Sequence, residues 1–322
     1  MCEKERENAE ASFGSRIHCL EKERAGNRIF VKHDEEIPRY GGGNKVRIAG
    51  EHYRRAVLEG KDVIISYGSP SSNLNRAVAE MCRAHDMACV VVEAGEEGEE
   101  GVSRNGIRVR KSGARIVPCK KSRVAETLGA LLEELRSEGR NPYYVYGDRY
   151  GRGGGGVAAE AYRKVWPEIR EQERRLGISF DYLFLATGTG TTQAGLLLGR
   201  ERDEGGPRIV GISVAREKER AIQKIREAIE ENRKLRGEAG VFRGEIRLED
   251  KYLQGGYGRS LEEERDWIER MYAEEGLRLD RTYTGKSFYG MVRYLEENKV
   301  TGKRILFLHT GGLPLFEEEH DL

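Results

Sequence analysis

Four short stretches of this chain set reactive side chains beside glycine. The first is Tyr40-Gly41-Gly42-Gly43-Asn44-Lys45-Val46-Arg47. Three glycines free the backbone to reach positive φ and to lie against a ligand with no Cβ in the way. Lys45, at the start of a predicted helix, is a candidate Schiff-base lysine. Alone, the stretch reads first as a surface turn followed by a solvated lysine, Lys45 being one of 56 Lys+Arg residues. The second stretch, Tyr67-Gly68-Ser69-Pro70-Ser71-Ser72-Asn73, joins a buried strand to a helix N-terminus, a place that suits a carboxylate or phosphate. Capping would need only one of Ser71, Ser72 and Asn73. The third, Thr187-Gly188-Thr189-Gly190-Thr191-Thr192-Gln193-Ala194-Gly195, has the same strand–loop–helix setting and makes a phosphate cradle. It lacks the lysine of GxxxxGK[ST], and Gln193 breaks GxGxxG, so a monophosphate fits better than a nucleoside triphosphate or a dinucleotide. The fourth, His309-Thr310-Gly311-Gly312, ends the last buried strand, and His309 reads as packed or hydrogen-bonded rather than catalytic.

Residues 28–32, 62–66, 88–92, 143–146, 181–186, 208–214 and 304–308 read as strands, most of them continuous apolar runs of the kind buried on both faces. Between them fall helical patterns after Lys45, around Ala77–Met81, through Leu128, Leu131, Leu132 and Leu135, and over 216–236 with Ile222, Ile225 and Ile229 inward. Ser260 and Glu263 form a capping box for a helix with Trp267, Ile268, Met271 and Tyr272 inward. Residues 1–25 read as peripheral, 94–104 as a flexible acidic loop, and 147–156 as an interdomain crossing. The pattern predicts an α/β protein, and the length allows two domains or one large one.

Composition narrows the class. The 322 residues carry a net charge of only +1 although 34% are charged, so no bulk field recruits nucleic acid or an anionic membrane. Five cysteines, none in CxxC spacing, read as reduced thiols and not as a disulfide frame or metal site. No apolar leader and no membrane-length apolar run is present, which predicts a soluble cytoplasmic protein without a metal.

The four stretches occur in the order found in fold-type II (tryptophan-synthase-β-like) pyridoxal-phosphate enzymes. Within that group the chain most resembles the D-cysteine desulfhydrase/1-aminocyclopropane-1-carboxylate (ACC) deaminase family, over residues 28–316. Glu275-Gly276-Leu277-Arg278-Leu279-Asp280-Arg281-Thr282-Tyr283-Thr284-Gly285-Lys286 is close to the family's "EG..lDPVY-x-GK". The resemblance implies that Lys45 holds pyridoxal 5'-phosphate and later moves the α-proton, and that Asn73 hydrogen-bonds the phenolic oxygen. It implies Gly188, Thr189, Gly190, Thr191 and Thr192 around the phosphate and Thr310 facing the pyridine nitrogen. Ser72 and neighbouring N–H groups would take the substrate carboxylate, with Ser71, Leu74 and Thr284 nearby, and Tyr257 and Tyr283 over the substrate. It further implies two doubly wound α/β domains with the cofactor in the cleft between them, residues 51–152 forming the smaller domain and 1–50 with 153–322 the larger, and a homodimer acting on a small amino acid.

The chain departs from the family at Ser71-Ser72-Asn73-Leu74, where Gln-Ser-Asn-His or Gln-Ser-Asn-Gln is usual, and at Arg47-Ile48-Ala49-Gly50, where RKLE is usual. Ring-opening deaminases carry Glu at the place of Thr284 and Leu at that of Thr310, whereas desulfhydrases carry a small hydroxyl residue and Thr. The resemblance therefore implies β-elimination on D-cysteine or a related β-substituted amino acid. Cysteine-synthase-like β-replacement and ring-opening deamination are the alternatives. The competing class is a non-catalytic or nucleotide-binding α/β protein in which Lys45 is an ordinary surface residue.

Overall fold

The computed structural model describes residues 14–95, 103–203, 205–253 and 261–320. Its strands are Ile17–Cys19 (β1), Arg28–His33 (β2), Val63–Gly68 (β3), Ala88–Ala94 (β4), Arg115–Cys119 (β5), Pro142–Tyr144 (β6), Tyr182–Thr187 (β7), Arg208–Ser213 (β8), Arg247–Glu249 (β9) and Arg304–His309 (β10). They form a six-stranded sheet, β1-β2-β10-β7-β8-β9, and a four-stranded sheet, β5-β4-β3-β6. Every pairing is parallel except β1 with β2. The smaller sheet is drawn wholly from residues between Val63 and Tyr144, so the chain leaves the larger sheet once and returns once.

Helices cover both faces of the larger sheet, which is why its strands read as unbroken apolar runs. In β7, Leu183 and Leu185 point to one core with Tyr162, Val165 and Ile169, while Phe184 points to the other with Phe288 and Phe307. β3 alternates likewise: Val63 and Ile65 face Leu128 and Leu131, whereas Ile64 joins the cluster that holds Leu183 and Leu306. Each such side chain contributes roughly 1.5–3 kcal/mol on full burial.

The predicted strands are present, although the one expected over 143–146 spans Pro142–Tyr144 and gives way to a turn at Val145, and three run further into the site loops, to Gly68, Thr187 and His309. Other expectations need correction. Within the stretch read as peripheral, Ile17–Cys19 is an edge strand hydrogen-bonded to β2. Arg104–Lys111 is a helix capped by Ser103, whose hydroxyl accepts from Gly106 N; with Gly106 inside and few apolar residues, its pattern is faint. Gly155 and Gly156 open the long helix Gly155–Leu176 and serve close packing rather than hinging, since a Cβ on Gly156 would lie 2.6 Å from Asn232 N. In the helix Glu262–Glu275, Ile268 and Met271 are buried but Tyr272 is 39% exposed and packs on Phe316 and His320. Ser260 lies outside the described residues, and Leu261 is the cap position. No helix among the described residues is long and apolar enough to cross a membrane.

Candidate active site

A cavity of about 570 Å³ opens at the carboxyl ends of β3, β7 and β10, beside the glycine loop that follows β2. Ligands in α/β folds collect at such places. Gly41, Gly42 and Gly43 all have positive φ (73°, 65° and 87°), and a Cβ on Gly42 would lie 2.0 Å from Glu35 O. Only glycine lets this loop press so close to the end of β2. Gly43 N then donates to Asp34 O at 2.8 Å, and Asn44 N donates to Thr310 O at 2.8 Å, so the loop is tied to both neighbouring strands. Beneath it, buried Asp34 accepts from Arg47 (3.0 and 2.9 Å), Ser15 Oγ (2.7 Å) and Tyr162, and Arg47 also reaches Glu168 at 3.0 Å. The RKLE departure thus keeps its arginine as an anchor. Asn44 Nδ2 donates to Thr192 Oγ1 at 3.0 Å, joining this helix start to the phosphate loop.

Lys45 is the second residue of the helix Asn44–Leu58 and is half-buried against the cavity. Burial alone brings its ammonium down to about 8. Roughly a tenth is therefore neutral at pH 7, far more than for an ordinary lysine, and that is the form a nucleophilic or basic lysine uses. His52, about two helical turns further on, also lines the cavity, but burial holds it neutral with its pKa near 3 and its Nδ1 is 2.9 Å from Tyr143 OH.

Gly188, Thr189, Gly190, Thr191 and Thr192 line the cavity at the start of the helix Thr191–Arg200, with the Thr189 and Thr191 hydroxyls 3.2 Å apart. Arg216 and Arg220 close this end; Arg216 donates to Gly188 O, and burial and Arg220 lower its pKa. Amide donors, hydroxyls and two guanidiniums form a site for a dianion. Gly190 has φ 88°, and an added Cβ would lie 2.8 Å from Ile225 Cγ1. Gly190→Ala is expected to lower stability by about 1–3 kcal/mol, from left-handed backbone and overpacking together. It should also loosen the ligand. Thermal unfolding with and without ligand measures both effects.

Ser72 caps the helix Asn73–Ala84, its hydroxyl accepting from Asn75 N at 3.2 Å, and it lines the cavity with Asn73 and Leu74. Capping and ligand contact are thus compatible in one residue. Asn105 Nδ2 donates to Ser71 O (2.8 Å) and Asn73 Oδ1 (3.0 Å), which leaves the Asn73 amide nitrogen as the group to present to a ligand.

Opposite, Thr310 and Tyr283 line the cavity. Buried Asp280 fixes this wall by accepting from the backbone N–H groups of Thr282 (3.0 Å), Tyr283 (2.7 Å) and Thr284 (3.1 Å) and from Thr284 Oγ1 (2.7 Å). His309 is buried and hydrogen-bonded as expected, its Nε2 donating to Arg278 O at 3.1 Å and its Nδ1 lying 3.2 Å from Glu35 Oε2. Burial pushes the Glu35 carboxyl up to about 7 and lowers His309.

Lys45, Ser72, Asn73, Leu74, Gly188 to Thr192, Tyr283 and Thr310 therefore meet around one cavity. Ser71 and Thr284 do not line it. The Ser71 hydroxyl lies 3.2 Å from Ser69 Oγ, and the Thr284 hydroxyl is committed to Asp280. Tyr257 falls outside the described residues. Sequence reasoning missed Arg76, Arg216 and Arg220. Arg76 lies three residues after Asn73 on one helix, and Arg216 follows the end of β8, so spacing and strand ends held the signal.

An α/β fold with a lysine beside a phosphate cradle at the strand ends defines a class, and the chain belongs to the pyridoxal-phosphate-dependent enzyme family, matched over residues 16–311. It is 32% identical over 295 residues to a protein of Pyrococcus abyssi (strain GE5 / Orsay) provisionally named 1-aminocyclopropane-1-carboxylate deaminase, covering 90% of this chain and 86% of that one. It is 27% identical to the D-cysteine desulfhydrase of Serratia proteamaculans (strain 568), over 92% of this chain and 89% of that one. The crystal structure of an ACC deaminase homologue superposes with a TM-score of 0.81 at 29% identity, covering 96% of this chain and 92% of that one. The cofactor is pyridoxal phosphate, and the donor set fits it: a lysine with a depressed pKa, a cationic amide-and-hydroxyl cradle, and no carboxylate among the described lining residues.

Proposed function

We propose that this chain is a lyase that carries out β-elimination on D-cysteine or a related β-substituted amino acid, giving a keto acid and ammonia. The observation that carries the reading is the cavity wall at Thr310: a hydroxyl side chain stands there, and no Asp or Glu lines the cavity among the described residues. A ring nitrogen met by a neutral hydroxyl stays largely unprotonated, which favours expulsion of a β-substituent over transamination. Pyridoxal phosphate supplies the electron sink that acidifies the substrate Cα–H. Lys45 holds the cofactor and then, as a free amine, takes the α-proton on Nζ. Asn73 is the donor to the phenolic oxygen, and residues 188–192 with Arg216 and Arg220 hold the phosphate. Ser72 and the N–H groups at its helix start bind the substrate carboxylate, and the Tyr283 hydroxyl passes a proton to the departing group. The eliminated product then tautomerises and hydrolyses in water.

Leu74 supports a second reading. It puts an apolar side chain on the cavity where the resembling family has a polar one, and a less polar pocket favours capture of the unsaturated product by an added nucleophile. Assays with D- and L-cysteine, O-acetylserine, β-chloroalanine and 1-aminocyclopropane-1-carboxylate separate the possibilities. Keto acid from a β-substituted substrate without added nucleophile is the expected result. Product formed only when a thiol or amine is supplied would establish replacement, and keto acid from the cyclopropane alone would establish ring opening. The four described cysteines are free thiols, which supports a cytoplasmic setting. A homodimer rests on the resemblance, and a monomer mass by light scattering would remove it.

A further inference from the structure

Arg76 is 1% exposed, lines the cavity, and has no carboxylate of its own among the described residues. The acid that acts on it, Glu80, is already gripped by Arg108 through Nε at 2.6 Å and Nη2 at 3.0 Å. Burial, together with the like charge of Arg108, lowers the Arg76 pKa to about 10. Its hydrogen bonds are also incomplete. Nη1 donates to Tyr40 O, but Nη2 has only long contacts, 3.4 Å to Gly42 O and 3.5 Å to Asn73 Oδ1, and Nε has no partner. Holding the carbonyls of the glycine loop would need a donor, not a charge. A buried, uncompensated cation is costly, and it makes sense where a bound anion completes it.

We propose that Arg76 is a positioning residue that keeps negative charge on the phenolic oxygen of the bound cofactor, acting through Asn73. The inference rests on the reading of Asn73 as the partner of that oxygen. Ser71 O fixes the Asn105 amide, Asn105 Nδ2 in turn fixes Asn73 Oδ1, and Arg76 Nη2 bears on the same oxygen. The Asn73 amide is therefore held with its NH₂ as the ligand-facing donor. A guanidinium behind the carbonyl polarises that amide, and its field stabilises an anion on the far side in a site with little screening. Arg216 lies at the phosphate loop, donating to Gly188 O, whereas Arg76 is the guanidinium in contact with Asn73.

The test is the absorption spectrum of the cofactor-loaded protein, in which the yellow phenolate form and the near-ultraviolet form with a neutral phenol are read as a ratio. Arg76→Gln and Arg76→Met should take up cofactor yet shift the ratio roughly tenfold toward the neutral form, the size expected on removing one partly screened unit charge. Arg76→Lys should restore most of the yellow band. Equal ratios in all three variants and the unchanged protein would show that Arg76 only anchors the loop, and would overturn the proposal. Should the neutral variants fail to fold, Glu80→Gln on the partly exposed side of the pair decides: it should move the ratio toward the phenolate, and no movement contradicts the proposal. Failure of the unchanged protein to bind cofactor at all would instead refute the functional reading beneath it.

Discussion

Lys45→Ala is expected to lower turnover by about 10²–10⁴-fold or more, the range for losing a positioned proton-transfer group, and to abolish covalent capture of the cofactor. The fold should survive. Lys45 packs toward a cavity and makes no hydrogen bond or ion pair among the described residues that its loss would orphan. The sign of its pKa shift makes the prediction sharper. Burial lowers the folded-state value from 10.5 to about 8, so the folded protein disfavours the charged ammonium. Below pH 8 the unchanged protein carries that penalty in full, and it fades as pH rises from 8 to 10.5. The apo form of Lys45→Ala lacks the penalty and should match or exceed the unchanged protein in thermal stability below pH 8, with the advantage shrinking at higher pH. An inactive variant that is also markedly less stable at pH 7 would make Lys45 a structural residue.

Tyr283→Phe should lower turnover by about 10²–10⁴-fold while the cofactor stays bound, because only a proton-transfer hydroxyl is removed. The ring itself should not move. Its backbone N–H is held by Asp280 at 2.7 Å at the start of the helix Thr284–Glu297, and neither contact depends on the phenol. Loss in kcat with little change in substrate affinity is the expected division, measured by steady-state kinetics alongside the cofactor spectrum. An unchanged rate would reduce Tyr283 to packing.

The parts legible in the sequence are those dominated by local pattern. Buried parallel strands announced themselves as apolar runs, and the glycine clusters marked the turns at their ends, so the cavity wall from Gly42 to Thr310 could be anticipated. Features set by tertiary partners could not. Thr284 sits next to Tyr283 in sequence, yet Asp280 draws its hydroxyl away from the cavity. Ser71 neighbours Ser72, yet only Ser72 takes the cap position and lines the cavity. Arg76 falls three residues after Asn73, but its burial beneath the glycine loop depends on tertiary contacts that no local pattern reveals. The helix Arg104–Lys111 was hidden because its stability comes from the Ser103 cap and from packing on the helix Asn73–Ala84, not from a strong apolar stripe.

The central claim is that Lys45 holds the cofactor between the residue 188–192 cradle and Asn73. Borohydride reduction of the yellow protein, followed by proteolysis and mass mapping, tests it most directly. A single modified peptide carrying the cofactor mass on Lys45, absent from Lys45→Ala, is the predicted result. Modification of a different lysine, or colourless protein that takes up no pyridoxal phosphate, would contradict it.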